Sequence, residues 1–158
     1  YKWLIKNTGR LQIEPTSIIL AGGSAGGYLA LSIPLLNPDL PLPAALVAYN
    51  PVTKTTPGGF YKPKLFRAPA DTGKYSLQDK LRGGLPPLLV LHGEADTTVP
   101  YANSREFVAI WQSFGNKAKL VSYPSCDHGF FNTSPSYEKT LEDTVGFCQT
   151  IPNLNPCR

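Results

Sequence analysis

Methionine is missing from all 158 residues. A complete translated chain begins with methionine, and this one begins at Tyr1, inside the helix-like stretch Tyr1-Lys2-Trp3-Leu4-Ile5-Lys6. The chain therefore reads as processed, trimmed or a piece of a longer one. Long apolar runs are missing too. None approaches the ~20 residues that a membrane-spanning helix needs, and no secretory signal pattern is visible. A soluble chain without a membrane span is expected. Histidine is down to two residues, His92 and His128, and cysteine to three. Neither recurs at metal-ligand spacing, which excludes the common zinc sites. The glycine-rich segment at 22–27 is followed by no Gly-Lys-Ser/Thr, which excludes a phosphate loop. No metal and no cofactor is expected.

Charge of one sign is scarce as well. The net charge is only +4, and much of the excess sits in Lys54, Lys62, Lys64, Arg67, Lys74, Lys80 and Arg82, against Asp71 and Asp79. Such a run can meet an anionic partner. Nothing here resembles a nucleic-acid module, so it reads as a solvated loop and no nucleic-acid partner is expected. Three cysteines cannot all pair. Cys148 and Cys157 are close enough in sequence for a disulfide in an oxidising compartment, which would suggest export. Cys126 is then left over. It lies two residues before His128, but no activating partner can be read around it, and it reads as a buried loop thiol.

What is present is more specific. Gly22-Gly23-Ser24-Ala25-Gly26 follows the apolar run Ser17-Ile18-Ile19-Leu20-Ala21 and leads into the helical stretch Gly27-Tyr28-Leu29-Ala30-Leu31-Ser32-Ile33. This is G-x-S-x-G between a strand and a helix, the setting in which it pushes a serine out of a sharp turn. The glycines on either side of the serine are expected to leave room where side chains would collide. The helix N-terminus that follows favours negative charge at the same place.

Two later residues complete a pattern. Asp96 follows Leu88-Leu89-Val90-Leu91, in His92-Gly93-Glu94-Ala95-Asp96-Thr97-Thr98-Val99-Pro100. His128 follows Leu120-Val121-Ser122-Tyr123, in Pro124-Ser125-Cys126-Asp127-His128-Gly129-Phe130-Phe131. Each sits in a loop just past a predicted strand. A serine hydroxyl needs an imidazole to take its proton, and a buried carboxylate holds that imidazole in the right tautomer. The order Ser, Asp, His along the chain is that of an α/β-hydrolase.

Blander readings compete at each position. Ser24 could be one more serine in a glycine-rich turn, and Asp96 a turn or N-cap residue ahead of a helix near Pro100. Glu94 is the rival carboxylate. His128 has one rival, His92, which lies at a strand end and precedes Asp96, the wrong order. His92 reads as a packed, hydrogen-bonded structural residue and Asp127 as a solvated loop residue.

Short apolar runs alternate with longer helical stretches, the sign of parallel βαβ units. Strands are predicted at 17–21, 45–49, 88–92 and 119–123. Helices are predicted at 1–8, 26–36, 101–114 and 135–149, with Gly115-Asn116 as a stop. The stretch 51–87 is irregular and placed to line an acyl or alcohol pocket. One domain over 1–158 is expected, with strands ordered first to fourth. A chain of this length can bury roughly 68–70% of its unfolded surface. The Ser24 strand would then be an uncovered apolar edge, which invites pairing with another chain and predicts a homo-oligomer.

Together with Tyr49-Asn50-Pro51-Val52, Gly84-Leu85-Pro86-Pro87, Val99-Pro100 and His128-Gly129-Phe130-Phe131-Asn132, these motifs resemble the acetyl esterase/lipase group of the α/β-hydrolase superfamily, which includes carboxylesterases and acetyl-xylan or feruloyl esterase-like enzymes. The likeness runs from about residue 13 to 149. It implies Ser24 as nucleophile, Asp96 as acid and His128 as base in ester hydrolysis. The backbone N–H of Ala25 would be one oxyanion donor. It also implies what is absent. Members carry further strands before the nucleophile strand, and a His-Gly-Gly loop that supplies the other oxyanion donor. The fold expected is therefore a partial α/β-hydrolase, a parallel sheet of about four strands with flanking helices and the N-terminal strands missing. Losing one oxyanion donor typically costs about 10²–10³ in rate.

The leading expectation is a serine carboxylesterase acting on short acyl esters, acetyl above all, with a small ester or acylated carbohydrate as substrate. A prolyl-oligopeptidase-type serine peptidase is the second reading. A non-catalytic remnant that works by association is the third.

Overall fold

The computed structural model describes residues 1–56, 73–152 and 154. Lys62, Lys64, Arg67, Asp71 and Cys157 lie outside the described residues, and so does the expected Cys148–Cys157 disulfide.

Among the described residues four strands form one sheet: β1 (Ile19–Gly23), β2 (Ala45–Tyr49), β3 (Leu88–Gly93) and β4 (Ala118–Tyr123). All neighbours are parallel, and the spatial order is β1-β2-β3-β4. This is the order expected of consecutive βαβ units. The fully described α-helices are α1 (Lys2–Lys6), α2 (Thr8–Leu11), α3 (Ala25–Leu36), α4 (Tyr101–Ser113) and α5 (Ser136–Gln149). Among the described residues no helix is long and apolar enough to cross a membrane.

Alternation along the strands sends side chains to two faces. Leu46, Ala48, Leu88 and Val90 meet Leu31 and Leu35 of α3 and Phe107, Val108 and Trp111 of α4. Val47, Leu89 and Leu91 meet Tyr123, Phe130 and, from α5, Phe147 on the other face. Every residue of β3 is buried, which explains its unbroken apolar run. Leu31, Leu46, Leu88 and Leu91 are fully inside, each worth roughly 1.5–3 kcal/mol of burial.

Two boundaries move. The opening helix breaks at Asn7, whose Nδ2 donates to the Trp3 carbonyl at 2.7 Å, and restarts as α2. A short polar side chain that bonds its own backbone competes with the helix. Strand β1 starts and ends two residues later than its apolar run suggests. Pro15–Ser17 form a 3₁₀ turn instead, and the strand continues through Gly22 and Gly23 to the door of Ser24. Gly115, with φ +79°, ends α4 as expected.

Three of the described basic residues have local partners. Lys54 pairs with Glu106 at 3.6 Å, Lys74 lies over the Tyr75 ring and Arg82 donates to the Pro34 carbonyl. Among the described residues no group of three or more His, Cys, Asp or Glu side chains could hold a metal ion.

Strand β1 is an edge, as expected. Beside it runs a groove of about 530 Å³, lined by Tyr1, Leu4, Ala21, Gly26, Leu29 and Ile33 among others. Leu29 is 64% exposed there.

Candidate active site

Ser24 joins β1 to α3 with φ 53° and ψ −117°. A positive φ on a residue with a Cβ costs roughly 1–3 kcal/mol and persists only where the surroundings enforce it. Here the backbone does so. The Ser24 N–H donates to the Tyr49 carbonyl at 2.8 Å, and its own carbonyl accepts from Tyr28 N–H at 3.1 Å. The turn folds back so tightly that a Cβ on Gly22 would lie 2.4 Å from the Gly26 carbonyl carbon. One on Gly27 would lie 3.0 Å from Pro51 Cβ. The expectation for Gly26 is corrected: a Cβ there meets nothing within 4 Å, because Gly26 faces the open groove beside β1. The steric need on the helix side falls on Gly27.

Ser24, Asp96 and His128 are brought together at the carboxyl ends of β1, β3 and β4, where open α/β sheets place their sites. His128 Nε2 lies 2.9 Å from Ser24 Oγ, and His128 Nδ1 lies 2.7 Å from Asp96 Oδ2. A carboxylate only accepts, so Nδ1 carries the hydrogen and Nε2 is left to accept from the serine hydroxyl. The Asp96 side chain is 0% exposed and that of His128 25%. The carboxylate is thus kept from water while the imidazole stays within reach of it.

Local geometry explains how Asp96 is aimed. Its Oδ1 accepts the backbone N–H groups of Thr98 and Val99, each at 2.8 Å. An aspartate closing its own turn in this way is a common device. The helix after it, α4, begins only at Tyr101, with Pro100 at its cap, so Asp96 is no N-cap. Glu94, the rival carboxylate, is exposed, and Asp127 is an exposed loop residue that accepts from Gly129 N–H.

The Asp96 and His128 loops are fastened to each other. A Cβ on Gly93 would lie 2.3 Å from the Cys126 carbonyl oxygen, so β3 ends flush against the His128 loop. Ala95 N–H donates to that same carbonyl at 3.0 Å. Cys126 is half-buried, more open than expected, with Sγ 3.7 Å from Ser136 Oγ. From the Pro51–Pro87 stretch, Val52 N–H reaches the Ser24 carbonyl at 3.5 Å and the Tyr75 carbonyl accepts from Tyr28 Oη.

Two contributors escape sequence reasoning. Asn50, fully buried with φ 42°, accepts from Gly93 N–H and donates to the His128 carbonyl. An asparagine at a strand end ahead of a proline hints at a special backbone, but not at these partners. His92 is packed and hydrogen-bonded as expected, yet its Nε2 also lies 3.2 Å from Asp96 Oδ2. Burial, the dominant influence, pushes its pKa below the ordinary imidazole range, only partly opposed by the Val99 carbonyl and Asp96.

The parallel sheet, the strand–turn–helix around Ser24 and its flanking helices define an α/β-hydrolase fold. A model of the prolyl oligopeptidase family matches residues 1–153, and the chain belongs to that family. Among curated proteins it is 30% identical over 152 residues to an acetylxylan esterase of Xylanibacter ruminicola, covering 89% of this chain and 32% of that protein. It is 30% identical over 160 residues to esterase LipQ of Mycobacterium tuberculosis, covering 81% of this chain and 36% of that protein. The apo form of Thermogutta terrifontis esterase 2 superposes with a TM-score of 0.84 at 32% identity, over 99% of this chain and 63% of that one. Its butyrate-bound form gives 0.83 at 30% identity. The chain spans about a third of the length of the curated relatives it matches.

Proposed function

We propose that this chain carries the nucleophile, base and acid of a serine carboxylesterase. The observation that carries this reading is the unbroken hydrogen-bonded line from Ser24 Oγ through the His128 ring to Asp96 Oδ2, at 2.9 and 2.7 Å. His128 Nε2 takes the hydroxyl proton as Ser24 Oγ attacks the ester carbonyl. The tetrahedral oxyanion rests against the N–H of Ala25, the first residue of α3, which has no intrahelical acceptor. The C–O bond to the alcohol breaks, and His128 returns its proton to the leaving oxygen. Water, deprotonated by His128, then attacks the acyl-enzyme and releases the acid and Ser24. No cofactor enters.

Short acyl groups are the proposed substrates, with an acetylated carbohydrate as one class. The names of the acetylxylan esterase and of the butyrate-bound esterase favour this choice. Peptide-bond hydrolysis is the second reading, favoured by the family description. For the chain on its own, the unpaired β1 edge and the open space over Gly26 support association with a second copy. Light scattering after size exclusion tests this, and a monomer at high concentration overturns it.

The deciding experiment is hydrolysis of p-nitrophenyl acetate by the purified chain beside Ser24→Ala. Loss of activity in the variant supports the esterase reading. Equal rates overturn the catalytic reading for the chain on its own. Competition between the ester and a prolyl peptide separates esterase from peptidase.

A further inference from the structure

We propose that His92 is a positioning residue for the Asp96 carboxylate, holding with its Nε2–H the same oxygen that His128 uses. The inference rests on the esterase reading above and deepens it.

The carboxylate is inaccessible to water, as is the His92 side chain. Oδ1 has two donors, the N–H groups of Thr98 and Val99 at 2.8 Å. Oδ2 has two ring nitrogens, His128 Nδ1 at 2.7 Å and His92 Nε2 at 3.2 Å. Bonds to one oxygen leave a carboxylate able to pivot about it, and a donor on the other removes that freedom.

The protonation state of His92 follows from its partners. Its Nε2 faces the Val99 carbonyl at 3.0 Å as well as Asp96 Oδ2, and both are acceptors only. Nε2 therefore carries a hydrogen, shared between them. Nδ1 lies 2.7 Å from Ser104 Oγ in α4 and accepts its hydroxyl hydrogen. The Tyr101 ring packs edge-on at 5.6 Å. Around the ring stand Asp96, Val99, Tyr101 and Ser104, with His128 beyond Asp96. Burial keeps His92 neutral. A neutral donor suits the task, because an imidazolium there would compete with His128 for the charge of Asp96. The line of contacts thus runs Ser24, His128, Asp96, His92, Ser104, and ties the site to α4.

The test uses the 158-residue chain with His92→Gln, His92→Asn and His92→Leu. A glutamine amide nitrogen reaches the place of Nε2, and an asparagine amide the place of Nδ1. Leucine supplies neither. With p-nitrophenyl acetate, His92→Asn and His92→Leu should lose about tenfold or more in kcat at unchanged KM, the value of one hydrogen bond to a charged group. His92→Gln should recover most of it. Comparable loss in the Gln and Leu variants, with melting temperatures alike, would reduce His92 to packing. Unchanged kcat in His92→Leu overturns the proposal outright.

A second readout does not depend on turnover, and so separates this inference from the esterase reading. With two histidines, ¹⁵N-histidine labelling assigns both rings. His92 should show the Nε2–H tautomer and His128 the Nδ1–H tautomer. The His128 Nδ1 proton signal should broaden or vanish in His92→Leu and persist in His92→Gln. If it is unchanged in His92→Leu, the proposal fails whether or not Ser24→Ala and the unaltered chain differ in activity.

Discussion

Asn50 Nδ2 donates to the backbone carbonyl of His128 at 2.5 Å, which ties the end of β2 to the loop after β4. The same side chain accepts from Gly93 N–H at 3.2 Å, at the end of β3. One buried amide thus spans three strand ends. It stands beneath the three side chains proposed for catalysis and touches none of the reacting atoms.

Replacing Asn50 with Ala leaves the Gly93 N–H and the His128 carbonyl without this partner. Each stranded buried group costs about 1–3 kcal/mol, and Ala is strained at φ 42°. We expect a loss of roughly 3 kcal/mol in urea melts, with kcat falling further than the unfolded fraction explains. Full kcat in the folded variant would mean that the His128 loop holds itself.

Asp96→Asn tests the orientation of the imidazole. An amide presents a hydrogen to His128 Nδ1, so the ring turns to the tautomer with hydrogen on Nε2 and cannot accept from Ser24. We expect kcat to drop by about 10³–10⁴ with KM little changed. A loss of less than tenfold would count against Asp96 as the acid partner.

Gly22 and Gly26 should behave oppositely although they flank the serine symmetrically. Gly22→Ala drives a methyl group to 2.4 Å from backbone atoms and should prevent folding of the turn. Gly26→Ala meets nothing and gains roughly 0.8–1 kcal/mol of helix propensity. Thermal melts decide. A lower Tm for Gly26→Ala would show that another backbone lies over that position in solution.

Acid should weaken the fold through His92. Its folded-state pKa lies below the unfolded value of about 6.5, so the unfolded chain binds the proton first. The stability it contributes is complete above that value. It is lost as pH falls below it, at up to about 1.4 kcal/mol per pH unit, until the folded pKa is passed. Between pH 7 and 5, Tm should fall less steeply for His92→Gln than for the unaltered chain. Parallel slopes would remove His92 as the cause.

Much of the fold was legible because its signals are local. The all-apolar Leu88-Leu89-Val90-Leu91 announced a strand, and β3 is that strand. Ser24 stood out because only a strand–turn–helix gives G-x-S-x-G its meaning, and β1 and α3 meet there. Gly26 misled because a motif glycine records a need for space without naming what fills it. Asn50 and the contact from His92 to Asp96 were silent, since each depends on chain segments far apart or on which way a side chain turns in the packed interior.

Residue order alone sufficed for the alternation of strands and helices, the parallel sheet and the sharp turn at Ser24, and it put His128 rather than His92 after Asp96. Those depend on periodicity, on backbone preference and on chain order, which are properties of neighbours along the chain. The line of distances from Ser24 to Ser104, the two donors on each oxygen of Asp96 and the amide bridge from Asn50 arise only when four strand ends are packed side by side. Hydrogen bonds demand sub-ångström placement, and in this chain that placement comes from the filled core beneath the site.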